Sequence, residues 1–583
     1  MVARALARDG RKHHAVTTSP RSDPDPFRSI RRELTGPGAP FETAFEEVLG
    51  ARMPVFVNRP RHLVEILRSG AGSFPDRCYT AFADRSLTFE SMIGPVASLA
   101  QGMAGGYRIG KGDRVAVASA NRVEYVLAFW AATALGAVTV ALNGWWTGPE
   151  MSYALDLTKP SLLLGDGPRL QRLAEVGYRG VPMVSFDEDF AELEASSPGA
   201  PLPEVPIDED DPYVMLFTSG TTGRPKGAML SHRSNIHFAL AVQLGAAESA
   251  AVARATGGEV APAVPPVSIS AAPMFHVAGL TCTLAVAPMT GSTIVYPPPG
   301  RWQEAVHLDL TDRHKATTWS LVPTQLWRLL DWPHLDDYDL TSLRTVAGGS
   351  AVWPPELLRR LDERLPWARP GLSLGYGMTE TNGLGTSLRA AATHDRPDSI
   401  GRPSPTVQVE IRDPETRTPL PEGEVGEIAL RGGATFLGYW GDAEATANAV
   451  DGDRWYHTGD FGHMRDGFVY LSGRRQDLIV RGGENVYPVE IENRLIEHEG
   501  IVEVAVLGVP HPVLGQEVKA CVVERRAGAL TGSDVQRWCA EALAAFKVPS
   551  LVEFLPELPH NASGKVLKHL LVDRTARSDF VQE

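Results

Sequence analysis

Residues 218–227 read Thr-Ser-Gly-Thr-Thr-Gly-Arg-Pro-Lys-Gly. Glycines at 220, 223 and 227 let backbone N–H groups turn toward one centre. The hydroxyls of Thr218, Ser219, Thr221 and Thr222 add donors, and Lys226 adds a positive charge. Such a set suits a polyphosphate. It is not the GxxxxGK[ST] loop of P-loop proteins, because Gly227 follows Lys226 and the glycine spacing differs. Taken alone, the run also fits a flexible Gly/Thr turn. Partners further along the chain decide between the two readings.

The elements that must carry this run are α/β in pattern. Residues 213–217 (YVMLF) predict a buried strand leading straight into it. Upstream, 114–119 and 137–142 read as strands around a buried helix at 124–135, a parallel βαβ unit. Residues 161–164 and 269–271 read as further strands. The Ala-, Gly- and Pro-rich stretch 243–266 reads as a surface insertion. Beyond 400 the pattern turns β-rich, with strands at 407–411, 426–430 and 468–471 and a turn at Asp466-Gly467. After Gly473 it changes again. A helix at 488–497 with Pro in its first turn, strands at 502–508 and 517–523, and a helix at 533–545 capped by Ser533 make a separate α+β unit. The expected organisation is a flexible arm over 1–40, a large multi-subdomain N-terminal domain over 41–473 and a small mobile C-terminal domain over 474–583, hinged near 473–477.

Bulk properties narrow the function. A chain of 583 residues exceeds one core at roughly 150 residues per domain. The net charge of -14 argues against a general nucleic-acid binder, which needs a basic face, but not against a small anionic ligand. Cys78, Cys282, Cys521 and Cys539 show no metal or disulfide spacing. Reduced thiols in a cytoplasmic protein are the expectation. The basic N-terminus is followed by no apolar signal core, and no run of 18 or more apolar residues suggests a membrane span.

Further motifs stand in order after the first: PMFHVAG at 273–279, GGSA at 348–351, GYGMTET at 375–381, WYHTGD at 455–460, YLSGRRQDLIVRGGENVYP at 470–488 and LPHNASGK at 558–565. With LFTSGTTGRPKG at 216–227, the sequence resembles the adenylate-forming superfamily over roughly 70–583: acyl-CoA synthetases, amino-acid adenylation domains and firefly-luciferase-like enzymes. The resemblance implies a large domain with a mobile lid and two half-reactions, adenylation of a carboxylic acid by ATP with Mg2+, then thioester formation with coenzyme A. It implies that Thr379 contacts the α-phosphate and Glu380 helps hold Mg2+. By the same resemblance Tyr376, with Gly349 and Ser350, looks like the adenine pocket, and Gly377 and Ala351 also count among the ATP- and AMP-binding residues. Asp460 takes the ribose diol with Arg474 beside it. Lys565 is delivered by the lid to charge developing at the α-phosphate. Gln476 occupies the hinge position, where Lys or Asp is usual, so a charge-based hinge is in doubt. Gly482 and Gly483 would let backbone approach the pantetheine arm of CoA.

His276, Val277, Ala278 and Gly279 border the acyl pocket by the same resemblance. No acid lies in that stretch to pair a substrate ammonium, which disfavours an amino acid. The small residues Ala278, Gly279 and Ala351 suit a fatty or other hydrophobic acid. An acyl-carrier protein as acceptor, or a silent nucleotide-binding relative, are the alternatives. Intact Lys565, Glu380, Asp460 and Arg474 disfavour the silent form.

Overall fold

The computed structural model describes residues 26–219, 224–255, 257, 264–349, 353–389, 392, 396, 398–474, 477–481, 484–560 and 566–575. The chain begins there with α1 (Pro26–Thr35), a helix within the stretch expected to be a loose arm. The predicted βαβ unit follows as β1 (Arg114–Ala118), α2 (Val123–Ala134) and β2 (Val138–Ala141), with β3 (Leu162–Gly165) parallel to β1. Every residue of α2 but Glu124 is buried, as its unbroken apolar run requires.

The first motif forms a hairpin of β4 (Pro212–Ser219) and β5 (Pro225–Ser231). Lys226 pairs with Thr218 and Gly227 with Phe217. The loop is therefore shorter than the sequence suggested, because antiparallel pairing draws Thr218, Ser219, Lys226 and Gly227 into the ladder. These strands lie in a seven-stranded sheet, in the order Gly438–Tyr439, β5, β4, β2, β1, β3, Met183–Ser185.

The helix α3 (His232–Ala255) runs through half of the expected insertion, since alanine-rich sequence favours helix. By length and mean hydropathy alone it could cross a membrane, although it is no unbroken apolar run. In the fold it packs its buried side chains, among them Ile236, Leu240 and Leu244, into the core of the large domain. The arm is tied to it: Arg31 Nε and Nη2 grip both oxygens of Glu248 at 2.5 and 3.1 Å.

A second sheet has 13 strands. Its middle is β6 (Val267–Ile269), β7 (Thr318–Leu321), β8 (Thr345–Gly348), β9 (Ser373–Tyr376) and β10 (Thr386–Arg389), adjacent in that order. β6 lies slightly upstream of the predicted 269–271. Helices α4 (Pro323–Leu330) and α5 (Pro355–Arg364) cover one face of these strands around Trp319, Val346 and Leu361. The sheet continues into the β-rich region: β11 (Val407–Arg412), β12 (Gly426–Gly432), β13 (Tyr456–Arg465) and β14 (Phe468–Arg474). At the β13–β14 turn, Asp466 and Gly467 both have positive φ (54° and 76°), the geometry that a two-residue Asp-Gly hairpin turn prefers.

The last unit is a five-stranded sheet of β15 (Ile479–Arg481), β16 (Glu484–Val486), β17 (Ile501–His511), β18 (Gly515–Glu524) and β19 (Leu551–Phe554). Helices α6 (Pro488–Ile496) and α7 (Gly532–Ala540) flank it. Thr531, not Ser533, caps α7: its hydroxyl accepts from Asp534 N while Asp534 returns a bond to Thr531 N, a reciprocal box. This unit meets the large one through Arg525, whose Nη1 lies 3.0 Å from Asp331 Oδ2, and through Trp327 of α4 packed on its core.

Candidate active site

The β4–β5 hairpin sets Thr218 opposite Lys226 at one edge of the first sheet. The neighbouring edge strand supplies Tyr439, and the Lys226 ammonium lies 5.3 Å from the centre of its ring. The Tyr439 hydroxyl donates to Glu380 Oε1 at 2.8 Å. Glu380 sits in a short 3₁₀ turn, Thr379–Thr381, directly after β9, and its carbonyl accepts from Phe436 N at 2.8 Å. Burial raises the Glu380 pKa above the ordinary carboxylate value; hydrogen bonds from Tyr439 and Thr218 and the charge of Arg474 oppose that rise. Residues from three distant stretches, Thr218 and Lys226 of the hairpin, Glu380 and Tyr439, thus form one cluster.

A second cluster centres on Asp460. Asp460 and Arg474 are cross-strand partners on β13 and β14, with Arg474 Nε 3.0 Å from Asp460 Oδ1. Asp460 Oδ2 accepts from the Tyr376 hydroxyl at 2.8 Å. Its backbone N–H donates to Thr458 Oγ1 at 3.0 Å. The Asp460 side chain is buried and its carboxylate is held from two sides, so its orientation is set before any ligand arrives. Burial and the Asp460 charge raise the Tyr376 pKa far above its usual value, so this phenol is a permanent donor. The ring seen in the sequence as a stacking surface is thus also a positioning group.

Between the clusters the backbones run close. A Cβ on Gly349 would stand 2.8 Å from the Gly375 carbonyl oxygen, and one on Gly377 would overlap the Gly383 backbone. Glycine is required at both positions for contact reasons.

The PMFHVAG stretch lies beside this region. His276 packs on Phe275, ring centroids 4.9 Å apart, and lies 6.4 Å from Trp145. Burial pushes its imidazole pKa down to about 4, and Nε2 is buried without a partner. His276 is therefore neutral at physiological pH and carries no charge to the site. Val277 Cγ2 and the Phe238 ring of α3 both lie within 4 Å of the Cβ position of Gly383, with Cys282 Sγ nearer still, so three segments converge there. The Ala278 carbonyl accepts from Thr283 Oγ1 at 2.7 Å. A methyl on Gly279 would overlap the Pro273 carbonyl.

Gly220, Thr221, Thr222, Gly223, Ser350, Ala351, Gln476, Gly482, Gly483 and Lys565 lie outside the described residues, and of Ser219 only the backbone is described. Tyr439 and Phe238 were not legible in the sequence, because a lone aromatic outside a motif carries no signal.

Residues 67–440 match the family model described as AMP-binding enzyme, and 490–565 match the AMP-binding enzyme C-terminal domain. The chain belongs to the AMP-binding enzymes. It is 34% identical to a feruloyl-CoA synthase of Amycolatopsis sp over 487 residues, covering 83% of this chain and 93% of that protein. It is 31% identical over 559 residues to a long-chain-fatty-acid–CoA ligase of Bacillus subtilis, covering 89% and 96%. Among solved structures it resembles ATP-bound MatB from Rhodopseudomonas palustris, with a TM-score of 0.77 and 29% identity over 88% of this chain and 99% of that one. As an AMP-binding enzyme of the acid–thiol ligase class it uses ATP, Mg2+ and coenzyme A. Among the described residues no group of three or more His, Cys, Asp or Glu converges as a metal cage. The donors present fit Mg2+ all the same, because that ion is commonly held by one carboxylate with phosphate oxygens and water completing its shell. Glu380 is the carboxylate in position, and a cation beside it would offset the burial that disfavours its charge.

Proposed function

We propose that this enzyme activates a carboxylic acid with an apolar body and transfers it to coenzyme A. In the first half-reaction a carboxylate oxygen attacks the α-phosphorus of ATP and pyrophosphate leaves. In the second, the CoA sulfur attacks the acyl carbon, AMP leaves with the C–O bond electrons, and the thiol proton passes to solvent. The observation that carries this reading is the junction of the Thr218–Lys226 hairpin with Glu380 through Tyr439. It gives a cation and hydroxyls for the phosphates beside a carboxylate for the metal.

In this reading the chain's groups divide the work. Lys226 and the hydroxyls of 218–222 hold the phosphates, and Thr379 the α-phosphate. Asp460, aimed by Tyr376 and Arg474, accepts from the ribose hydroxyls. Mg2+ at Glu380 would draw charge from the phosphates. The acid enters at the mouth formed by Val277, Phe238 and Gly383, where His276 is neutral and does not compete for the carboxylate. Lys565 stabilises the transition state of adenylation. The small unit turns about the connection at Gln476 to exchange Lys565 for Gly482 and Gly483, beside which CoA enters. Since ATP and CoA are intracellular substrates, we place the reaction in the cytoplasm.

Acid-dependent exchange of pyrophosphate into ATP, followed by acyl-CoA formation, tests the proposal. Exchange is expected with acids of apolar body, and CoA is expected to outcompete acyl-carrier protein as acceptor. Lys565→Ala is expected to abolish exchange while largely sparing thioester formation from supplied adenylate. No exchange across a broad panel of acids would remove the reading.

A further inference from the structure

Beyond Gly383, one face of the second sheet is left open by the described residues. Registers across β7, β8, β9 and β10 align Ser320, Ala347, Ser373 and Arg389 in a single cross-strand row. Side chains alternate between faces along a strand. Trp319, Val346 and Leu374 therefore point the other way, into the core under α4 and α5. The open face carries small or polar groups instead. Ser320 and Gly375 are solvent-exposed although they lie on central strands, and Ala347, Ser373 and Arg389 are only partly covered. Facing this row is α3. Phe238 approaches Gly383, and two turns on a methyl at Gly245 would overlap the Arg389 guanidinium. Val242, between them in the stripe, is 41% exposed. The stripe of Phe238, Val242 and Gly245 thus runs beside this row from Gly383 to Arg389, about 10 Å by the rise of α3 between residues 238 and 245. The α3 side is apolar, and the sheet side carries the hydroxyls of Ser320 and Ser373.

Arg389 closes its far end with a donor to spare. Nη1 donates to Ser373 Oγ at 2.8 Å. Nε is buried with no hydrogen-bond partner among the described residues. The nearby acid, Glu248, is already gripped at both oxygens by Arg31. Two guanidinium groups therefore share one carboxylate in a largely enclosed place, and burial pulls the Arg389 pKa below its usual value with Glu248 opposing. A partly enclosed guanidinium whose neighbouring acid is already engaged is stabilised when a further anion completes it.

We propose that Arg389 is a specificity-determining residue that binds a second carboxylate, carried at the far end of the acid substrate on a spacer of up to about 10 Å. The substrate class is then a dicarboxylic acid with an apolar middle rather than a methyl-terminated fatty acid. Gly245 leaves the space the guanidinium needs, and Ser373 holds it in place. This rests on the ligase reading above, and it narrows the acid left open there.

The test pairs straight-chain and aromatic dicarboxylic acids with their methyl-terminated isosteres, in pyrophosphate exchange and acyl-CoA formation by the full-length enzyme. A charge-assisted bond predicts that the wild type favours the best dicarboxylic acid over its isostere by about tenfold or more in kcat/KM. Arg389→Met is expected to raise KM for the dicarboxylic acid with little change in kcat and to improve the isostere. Arg389→Lys is expected to keep part of the preference. Gly245→Ala, which displaces the guanidinium without removing it, is expected to weaken it. Exchange with methyl-terminated acids at equal or better kcat/KM than any dicarboxylic partner would overturn this inference and leave the ligase reading standing. Exchange with no acid at all would instead overturn the ligase reading, and this inference with it. The wild-type ratio decides the question even if an Arg389 variant fails to fold.

Discussion

The Tyr376 hydroxyl donates to Asp460 Oδ2 at 2.8 Å, joining residues 84 apart in sequence, while Arg474 holds the other oxygen. The carboxylate is buried and reaches the ligand region with its direction already chosen. Tyr376→Phe keeps the ring and removes only this restraint. With Arg474 still in place the loss is about 1–2 kcal/mol. KM for ATP is expected to rise about 5- to 30-fold with the melting temperature nearly unchanged. An unchanged KM would show that the phenol does not position Asp460.

The Tyr439–Glu380 bond predicts a pH effect. Glu380 is raised by burial and held down in part by Tyr439. Removing that donor in Tyr439→Phe raises it further, so the carboxylate is lost to protonation at higher pH. The acid limb of kcat/KM is expected to move to higher pH, and the Mg2+ concentration needed for half-maximal exchange to increase. Glu380→Gln is expected to remove the limb and lower exchange by about 100-fold, the scale of losing one preorganised electrostatic group. A profile identical to wild type in Tyr439→Phe would contradict the coupling.

Four buried histidines predict acid lability. Burial holds His232, His237 and His307 down to about 3 and His276 to about 4, against an ordinary value of 6.5. Below pH 6.5 the unfolded chain takes up protons that the folded one refuses. The stability each neutral ring contributes is therefore complete above pH 6.5 and is lost as pH falls, by up to about 1.4 kcal/mol per unit for each group until its folded pKa is passed. Melting temperature is expected to fall steeply between pH 6.5 and 4. A His307→Phe variant that folds is expected to show a shallower slope over that window. The same slope in the variant would assign the lability to other groups.

Asp331 bridges the two units, accepting from Arg360 on its own side and Arg525 on the other. The Arg525 pair is partly exposed, worth at most about 1 kcal/mol. Arg525→Ala is expected to leave global stability nearly intact and, if the small unit turns between the half-reactions as proposed above, to change the ratio of adenylation to thioester formation by about two- to fivefold. Stopped-flow measurement of the two half-reactions reads that ratio, and equal effects on both steps would count against a docking role.

Much of the site was legible because the chemistry needs local runs of particular residues. Phosphate contacts call for glycine, hydroxyls and a cation within ten residues, and 218–227 shows them before any fold is known. The strands of the βαβ unit and the small unit were legible from unbroken apolar runs. The errors fell where local pattern is ambiguous. Alanine-rich sequence at 243–255 is equally a loop composition and a helix, and packing against the core made it α3. Thr531 and Ser533 are both good caps, and the reciprocal bond with Asp534 selected the first.

By itself, then, the sequence determined the adenylate-forming class and the Gly- and hydroxyl-rich run at 218–227, since these depend on residues close together in the chain. Only the tertiary structure decided which distant groups meet. Tyr439 reaches Glu380 because a short edge strand joins β5. Arg389 faces Gly245 because β10 pairs with β9 in a register that turns its side chain toward α3. Neither contact has a sequence pattern, for each is set by which strands become neighbours and which face of a sheet is left uncovered.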